Sequence, residues 1–131
     1  MYRITERIAY KINAKTIING ESIGQVASQT LTSIEVINEV VNMPVLRPVA
    51  CFDKSEIIDL AKKINTYETS ILPYEDCCTI FVPDHPVINP SIKKATEYEK
   101  LISYEDLIRN ALKTKEVIKV EPNQNSFDNI L

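Results

Sequence analysis

The spacing of apolar and polar residues predicts that helices and strands alternate along the first half of this chain. Ile4, Ile8 and Ile12 recur at steps of four with charged residues between them, as on one face of an amphipathic helix. The β-favouring run "KTIIN" follows and predicts a buried strand that ends at Gly20.

A loop and a second helix are predicted after Gly20. Ser22 and Gln25 have the spacing of a capping box at a helix start. Pro44 ends this element, because proline does not continue a helix. Its apolar residues fall close to one helical stripe: Val26, Ile34, Ile37 and Val41.

The segment "VLRPVACF" predicts a second strand, which Pro48 should make short or bulged because proline lacks a backbone donor. Cys51 follows mostly apolar residues of this strand, so we expect it in the core. Asp53 and Glu56 have capping-box spacing and predict the start of a third helix. The buried face of this helix is expected to hold Ile57, Ala61 and Ile64.

The remainder of the chain is predicted to be mainly helical. "TYETSILP" predicts a short strand or an extended connector. The segment "SIKKATEYEKLISYEDLIRNALKTKEVIKV" predicts one broken helix or two helices, with Ser103 as the N-cap of the second. Its final "EVIKV" predicts a last strand, and residues 121–131 are expected to form a frayed tail. The apolar side of the last helix is expected to hold Leu107, Ala111 and Leu112.

The order of these elements predicts an α/β fold with a parallel sheet of two or three strands and flanking helices. Parallel sheets are normally covered by other elements on both faces. A sheet of only two or three strands is thin for such an arrangement. We therefore expect the chain to be part of a larger domain.

Composition and charge exclude several classes of protein. Hydrophobic residues make up 44% of the chain and charged residues 25%, which is ordinary globular usage. A formal net charge of −3 is not that of a stand-alone nucleic-acid binder. We find neither a run of about 20 apolar residues, as a membrane span requires, nor a signal peptide. Three irregularly spaced cysteines do not suggest a secreted disulfide scaffold, so we expect a cytoplasmic protein.

The only two glycines of the chain lie close together in "NGESIGQ". A loop between a strand end and a helix start favours an anion, because exposed backbone N–H groups and the helix dipole point toward it. A nucleotide contact near Gly20 and Gly24 is one interpretation. A turn glycine and a helix cap is the other, and it is the commoner of the two for so short a motif.

Two adjacent cysteines, Cys77 and Cys78, follow two acidic residues in "PYEDCCTIF". Neighbouring carboxylates raise the pKa of a thiol, so local sequence alone favours ordinary buried cysteines over a reactive pair. A metal or iron–sulfur site is an alternative that would use both, with Cys51 and the single histidine, His85. Against it, the C-x-x-C spacing of zinc sites is absent.

Three longer stretches carry a resemblance to a known family. "NGESIGQVASQT", "PVLRPV" and "DKSEIIDLAKKINTYETSILPYEDCCTIFVPDHP" resemble the C-terminal half of the catalytic domain of bacterial tRNA 4-thiouridine synthetases. These are sulfurtransferases that also serve thiamine thiazole synthesis. The resemblance runs almost continuously from Met1 to about Pro90 and is weaker beyond it.

The resemblance implies an adenine-nucleotide-binding fold of the PP-loop pyrophosphatase type, with a partial Rossmann-like sheet. In that family ATP adenylates O4 of a tRNA uridine, and sulfur from a cysteine persulfide then displaces AMP. It implies nucleotide contacts at Gly20 and Gln29, and a sulfur-handling cysteine at Cys77 or, one residue along, Cys78. The implied partners of the intact enzyme are tRNA, a cysteine desulfurase and a small sulfur-carrier protein. Mg²⁺ is expected with ATP, and a homodimer is a further expectation.

The sequence also departs from the family pattern. The pyrophosphate loop of the S-G-G-x-D-S type is absent from this chain, as are the tRNA-binding modules and the rhodanese domain of some members. We therefore expect a fragment that is inactive alone. Residues 1–90 would form the C-terminal half of the nucleotide domain, residues 91–120 a helical extension and residues 121–131 a tail.

Two alternatives to a sulfurtransferase stay open at this point. One is a metal or iron–sulfur binding module built on Cys77 and Cys78. The other is a non-catalytic fragment that oligomerises through an exposed sheet edge, as a halved parallel sheet would.

Overall fold

The computed structural model of the chain describes residues 1–26, 29–74 and 87–119. These residues form two strands and six helices, in the order α1 (Tyr2–Lys11), β1 (Ile17–Ile18), α2 (Leu31–Asn38), β2 (Val45–Leu46), α3 (Lys54–Lys63), α4 (Tyr67–Ser70), α5 (Ile92–Glu99) and α6 (Tyr104–Lys113).

Strands β1 and β2 pair in parallel, with Ile17 opposite Val45 and Ile18 opposite Leu46. The backbone N–H of Asn19 continues the ladder by donating to the Leu46 carbonyl oxygen at 3.1 Å. Helix α2 makes the crossover between the strands, as a parallel pair requires. The predicted α/β fold with a small parallel sheet and flanking helices is confirmed. Strand β1 is buried on one face only, since Ile17 is buried and Ile18 is 64% exposed.

The core lies where helix α1 packs against strand β1. Ala9, Ile17 and Met43 are its buried members. The carboxylate of Glu6 closes the side of this core by accepting the backbone N–H groups of Asn42 and Met43, at 2.6 and 3.0 Å. Partly buried apolar residues extend the cluster: Ala14, Val41 and Val45.

Ion pairs connect helices α5 and α6 to helix α1. Arg7 Nη2 donates to both carboxylate oxygens of Glu105, at 2.8 and 2.7 Å. Arg3 Nη2 donates to Glu99 Oε2 at 2.6 Å. The Arg3 guanidinium also lies 4.8 Å from the centre of the Tyr104 ring. The predicted helical extension thus packs against the first helix of the chain.

The helix starts test two predicted capping boxes, of which one is confirmed. Asp53 and Glu56 form the predicted box at the start of α3. The box at Ser22 is wrong, because α2 begins eight residues later with Thr30 as its N-cap. Gly24 has a φ of 78°, a left-handed conformation that interrupts any helix there.

Two further predictions fail in the second half of the chain. "TYETSILP" contains the short helix α4 instead of a strand, since Asn65 ends α3 in a left-handed conformation and a new turn starts at Tyr67. Residues 116–119 of the predicted strand "EVIKV" form no strand, and its last residue and the predicted tail lie outside the described residues. The choice between one broken helix and two is decided in favour of two, α5 and α6.

The apolar stripes are confirmed only in part. Ile57 and Ala61 of α3 are half-buried, whereas Ile64 is exposed. In α6 the buried residue is Ile108, and Leu107 is exposed. The helices cover each other only on narrow faces. The spacing of apolar residues therefore predicts which side of a helix faces inward better than it predicts how deeply each residue is buried.

Candidate functional site

The carboxyl ends of the two parallel strands bring polar side chains to one edge of the sheet. Asn19 follows β1 directly and Arg47 follows β2. Both reach the same atom, Glu21 Oε2, at 2.9 Å each. In open α/β sheets ligands bind at this edge, beyond the carboxyl ends of the strands.

A five-residue polar network, called the Glu21 cluster below, is centred on that carboxylate. Glu21 Oε2 accepts from the Tyr2 hydroxyl at 3.1 Å in addition to Asn19 and Arg47. Arg47 Nη2 donates to Asn38 Oδ1 at 2.9 Å and to the Tyr2 hydroxyl oxygen at 3.1 Å. Asn19 Nδ2 also donates to the Tyr2 hydroxyl oxygen. The cluster therefore joins the start of α1, the end of α2 and the ends of both strands.

The cluster keeps Glu21 ionised and Tyr2 neutral. Burial alone would raise the pKa of Glu21, but hydrogen bonds from Arg47, Asn19 and Tyr2 and the charge of Arg47 outweigh it and lower that pKa. The pKa of Tyr2 is raised, first by burial and then by the negative charge of Glu21. With side chains 10% and 24% exposed, Arg47 and Glu21 form an ion pair that is largely withdrawn from water.

A glycine-containing loop leads from β1 to α2. A Cβ atom built on Gly20 would meet no atom of the described residues within 4 Å, so there is open space beside this backbone. Gly24 closes the far side of the loop, where its N–H donates to the Gln29 carbonyl oxygen at 2.8 Å. Ile23 ties the middle of the loop to the turn after β2 through its N–H, which donates to the Ala50 carbonyl oxygen at 2.8 Å.

Gln29 lies at the end of this loop, immediately before the N-cap Thr30. Its Oε1 atom is buried and accepts no hydrogen bond from the residues that the structure describes. A buried amide oxygen without a donor is unfavourable, because it has lost its hydrogen bonds to water. Of the predicted nucleotide contacts, Gly20 offers open space and Gln29 an unused acceptor.

A cavity of about 510 Å³ opens beside the Glu21 cluster. Tyr2, Asn19 and Glu21 line it from the cluster, and further polar residues line it as well: Glu39, Thr96 and Glu99. Apolar residues of α2, of the chain just after α2 and of α5 form most of the remaining lining. The apolar residues are Val36, Ile37, Val40, Ile92 and Ala95.

The predicted sulfur site and histidine cannot be placed. Cys77, Cys78 and His85 lie outside the described residues, so their roles stay predictions. Within residues 1–26, 29–74 and 87–119 no group of three or more His, Cys, Asp or Glu side chains could hold a metal ion. None of the helices in those ranges has the length and apolar character that a membrane crossing requires.

Cys51 is exposed, so its predicted place in the core is wrong. Pro48 ends the strand early, and the chain turns where Ala50 N–H donates to the Arg47 carbonyl oxygen at 3.1 Å. Cys51 lies in that turn instead of continuing the buried strand.

The comparison with protein families decides what the chain is related to. The family model described as "Thiamine biosynthesis protein (ThiI)" matches residues 1–104. The chain belongs to the ThiI family.

Relatives of this ThiI-family chain carry the name of probable tRNA sulfurtransferases. It is 52% identical over 122 residues to a protein of Streptococcus sanguinis named "Probable tRNA sulfurtransferase". It is 53% identical over 123 residues to a protein of Halothermothrix orenii with the same name. These alignments cover 93% and 92% of this chain but 30% and 31% of the relatives. The chain thus spans about a third of the length of the relatives it matches.

A solved structure has the same fold as the ThiI-family chain. It is described as "Crystal structure of a 4-thiouridine synthetase - RNA complex with bound ATP". The TM-score is 0.86 and the sequences are 40% identical, over 92% of this chain and 32% of the other. The predicted family and fold are confirmed.

The Glu21 cluster is the part of this ThiI-family site that sequence reasoning missed. Asn19, Glu21 and Arg47 are distributed over two segments, and no short motif connects them. The available signal was a pair of opposite charges, each close behind a predicted strand. In a parallel sheet such positions meet at one edge.

Proposed function

We propose that this chain provides the adenine-nucleotide and sulfur-handling part of a tRNA uridine 4-sulfurtransferase. The observation that carries the proposal is the fold and 40% identity shared with a 4-thiouridine synthetase described with RNA and ATP. The carboxyl edge of the sheet supports it, with open space at Gly20 and a buried, unused acceptor on Gln29.

Gly20 and Gln29 are the proposed ATP contacts, and Gly24 shapes the loop between them. Glycine lets a ligand approach the backbone closely. The unused Gln29 Oε1 atom suits an N–H donor, which the exocyclic amine of adenine supplies. O4 of the uridine attacks the α-phosphate of bound ATP and pyrophosphate leaves, so that AMP becomes attached to O4. Mg²⁺ would accompany ATP, and we assign it no ligand in this chain.

Cys77 is the first choice for the cysteine that carries persulfide sulfur, and Cys78 is the second. A thiolate takes up sulfane sulfur, whereas a thiol does so poorly. The terminal sulfur of the persulfide attacks C4 of the adenylated uridine, and AMP leaves with the former O4. A second thiol, from another cysteine or a thiol reductant, then attacks the sulfur of the carrier cysteine, so that the S–S bond breaks, a new disulfide forms and 4-thiouridine is released. A cysteine desulfurase would supply the sulfur, and tRNA or a small carrier protein would accept it.

The remaining parts of the proposal concern organisation. Residues 1–90 form the C-terminal half of a PP-loop nucleotide domain, residues 91–120 a helical extension and residues 121–131 a tail. The extension packs against α1 through Arg3 and Arg7. A cytoplasmic location and a homodimer complete the proposal.

A chimera tests this function. In it, residues 1–131 replace the matching third of the 4-thiouridine synthetase of known structure. With ATP, cysteine, a desulfurase and unmodified tRNA, we expect it to form 4-thiouridine. Cys77→Ser should lower the rate by more than about a hundredfold, since the sulfur carrier is lost.

Cys51→Ser is the matched control, because Cys51 is exposed and lies in another segment. It should form 4-thiouridine at the rate of the unsubstituted chimera. A folded but inactive chimera, or one that keeps full activity with both Cys77 and Cys78 replaced by serine, would refute the proposal.

A further inference from the structure

The ion pair between Glu21 and Arg47 is the most extensively bonded charged group among the described residues. One carboxylate oxygen, Glu21 Oε2, accepts three hydrogen bonds, from Arg47, Asn19 and Tyr2, at 2.9 to 3.1 Å. By contrast, Arg109 is 67% exposed and lies 3.6 Å from Asp106 on its own helix. A charged pair withdrawn from water is costly to bury, and removing one partner leaves the other unpaired.

Glu21 directly follows Gly20, where the proposed nucleotide reaches the backbone. Consecutive Cα atoms are about 3.8 Å apart, so a shift of Glu21 moves Gly20 with it. The backbone N–H of Glu21 also donates to Asn19 Oδ1 at 3.2 Å, which fixes the turn of the chain around Gly20. The side chain of Glu21 thus fixes the beginning of the loop.

Arg47 also connects this fixed point to helix α2, which follows the loop. Its Nη2 donates to Asn38 Oδ1 at the last residue of α2, and α2 is the helix that begins just after Gln29. One guanidinium therefore sets the position of Gly20 relative to the helix that begins just after Gln29. Arg47 lines neither the cavity beside the cluster nor the open space at Gly20.

We propose that Arg47 is a positioning residue that holds Glu21, and through it the Gly20–Gln29 loop, in the geometry that binds the adenine nucleotide. The inference rests on the proposed function. The loop contacts ATP before and during the reaction, so losing its geometry weakens binding of the substrate and the transition state alike. The KM for ATP rises while kcat changes little.

The test compares ATP kinetics of the chimera and its variants. Arg47→Met should raise the KM for ATP about tenfold, as expected when one charge-assisted hydrogen-bond network is lost, with kcat within about twofold. Glu21→Gln should do the same, and it keeps the shape of the side chain if Arg47→Met folds poorly. Arg109→Met, the exposed control, should leave both constants unchanged.

A double-mutant cycle shows whether Arg47 acts through Glu21. If it does, the variant with both substitutions has a KM no higher than the worse single variant, because the second change removes nothing further. Effects on KM that multiply would overturn the inference, as would an unchanged KM in a folded Arg47→Met variant. An unsubstituted chimera without activity would instead refute the proposed function, and the inference with it.

Discussion

At the residue scale, Glu21 determines the acid–base behaviour of the site. Its pKa is lowered in the folded chain, so its contribution to stability is present above its ordinary value of 4.5 and is lost as pH falls through the lower, folded value. Tyr2 affects stability at the alkaline end of the pH range. Its raised pKa means that its contribution is present below 10.0 and is lost as pH rises through the higher, folded value.

Glu21→Gln should therefore destabilise the chain at neutral pH and much less in acid. The free energy of unfolding, measured with urea at a series of pH values, should differ between wild type and variant above pH 4.5. The two curves should converge as pH falls further, through the lower pKa of the folded carboxyl, where that group becomes protonated in wild type. Parallel curves over the whole range would show that the charge of Glu21 does not stabilise the fold.

The sequence could not reveal which single residues are exposed. Cys51 follows apolar neighbours and was expected in the core, yet Pro48 turns the chain before Cys51 is reached. Gln29 was named only through the family resemblance, and its unused Oε1 atom required the structure. Burial depends on which other segment lies above a residue, and a local pattern does not contain that information.

At the element scale, helix α2 depends on the cap that lies next to the proposed nucleotide contact. Thr30 Oγ1 accepts from the backbone N–H of Ser33 at 3.1 Å and donates to the Ile88 carbonyl oxygen at 3.0 Å. It therefore fixes the start of α2 and also joins it to the segment before α5. At Ser103, the N-cap of α6, the Oγ atom donates to Asp106 Oδ2 and makes no cap bond to the backbone.

Thr30→Ala should lower the free energy of unfolding by about 1–2 kcal/mol, because a cap and a tertiary hydrogen bond are both lost. Ser103→Ala, the matched control, should cost less, since no backbone cap is removed. Urea unfolding of both variants at neutral pH measures the difference. Equal losses would show that the Thr30 cap does not hold α2.

The accuracy of the predicted elements follows the strength of the local signal. Helices α1 and α3 were predictable because apolar residues recur over about three turns, and α3 carries a full capping box. The start of α2 was misplaced, because Ser22 and Gln25 imitate a cap in a stretch that Gly24 bends. Helix α4 has four residues, too few to show a period.

At the scale of the whole molecule, the sequence revealed the family more readily than the site. Long stretches such as "NGESIGQVASQT" occur in the same order as in the family and together carry the resemblance. The family model that matches residues 1–104 confirms that membership. The Glu21 cluster combines residues from four segments of the chain, and only the folded structure brings them together. The proposed reaction therefore rests on the resemblance, and the proposed positioning role of Arg47 rests on the geometry.

The most direct test of the sulfurtransferase account is the location of sulfane sulfur on this chain. The chain is incubated with a cysteine desulfurase and cysteine, its thiols and persulfides are trapped by alkylation, and peptides are analysed by mass spectrometry. The account predicts a persulfide on Cys77 or Cys78 and none on the exposed Cys51. Sulfane sulfur only on Cys51, or on no cysteine, would contradict it.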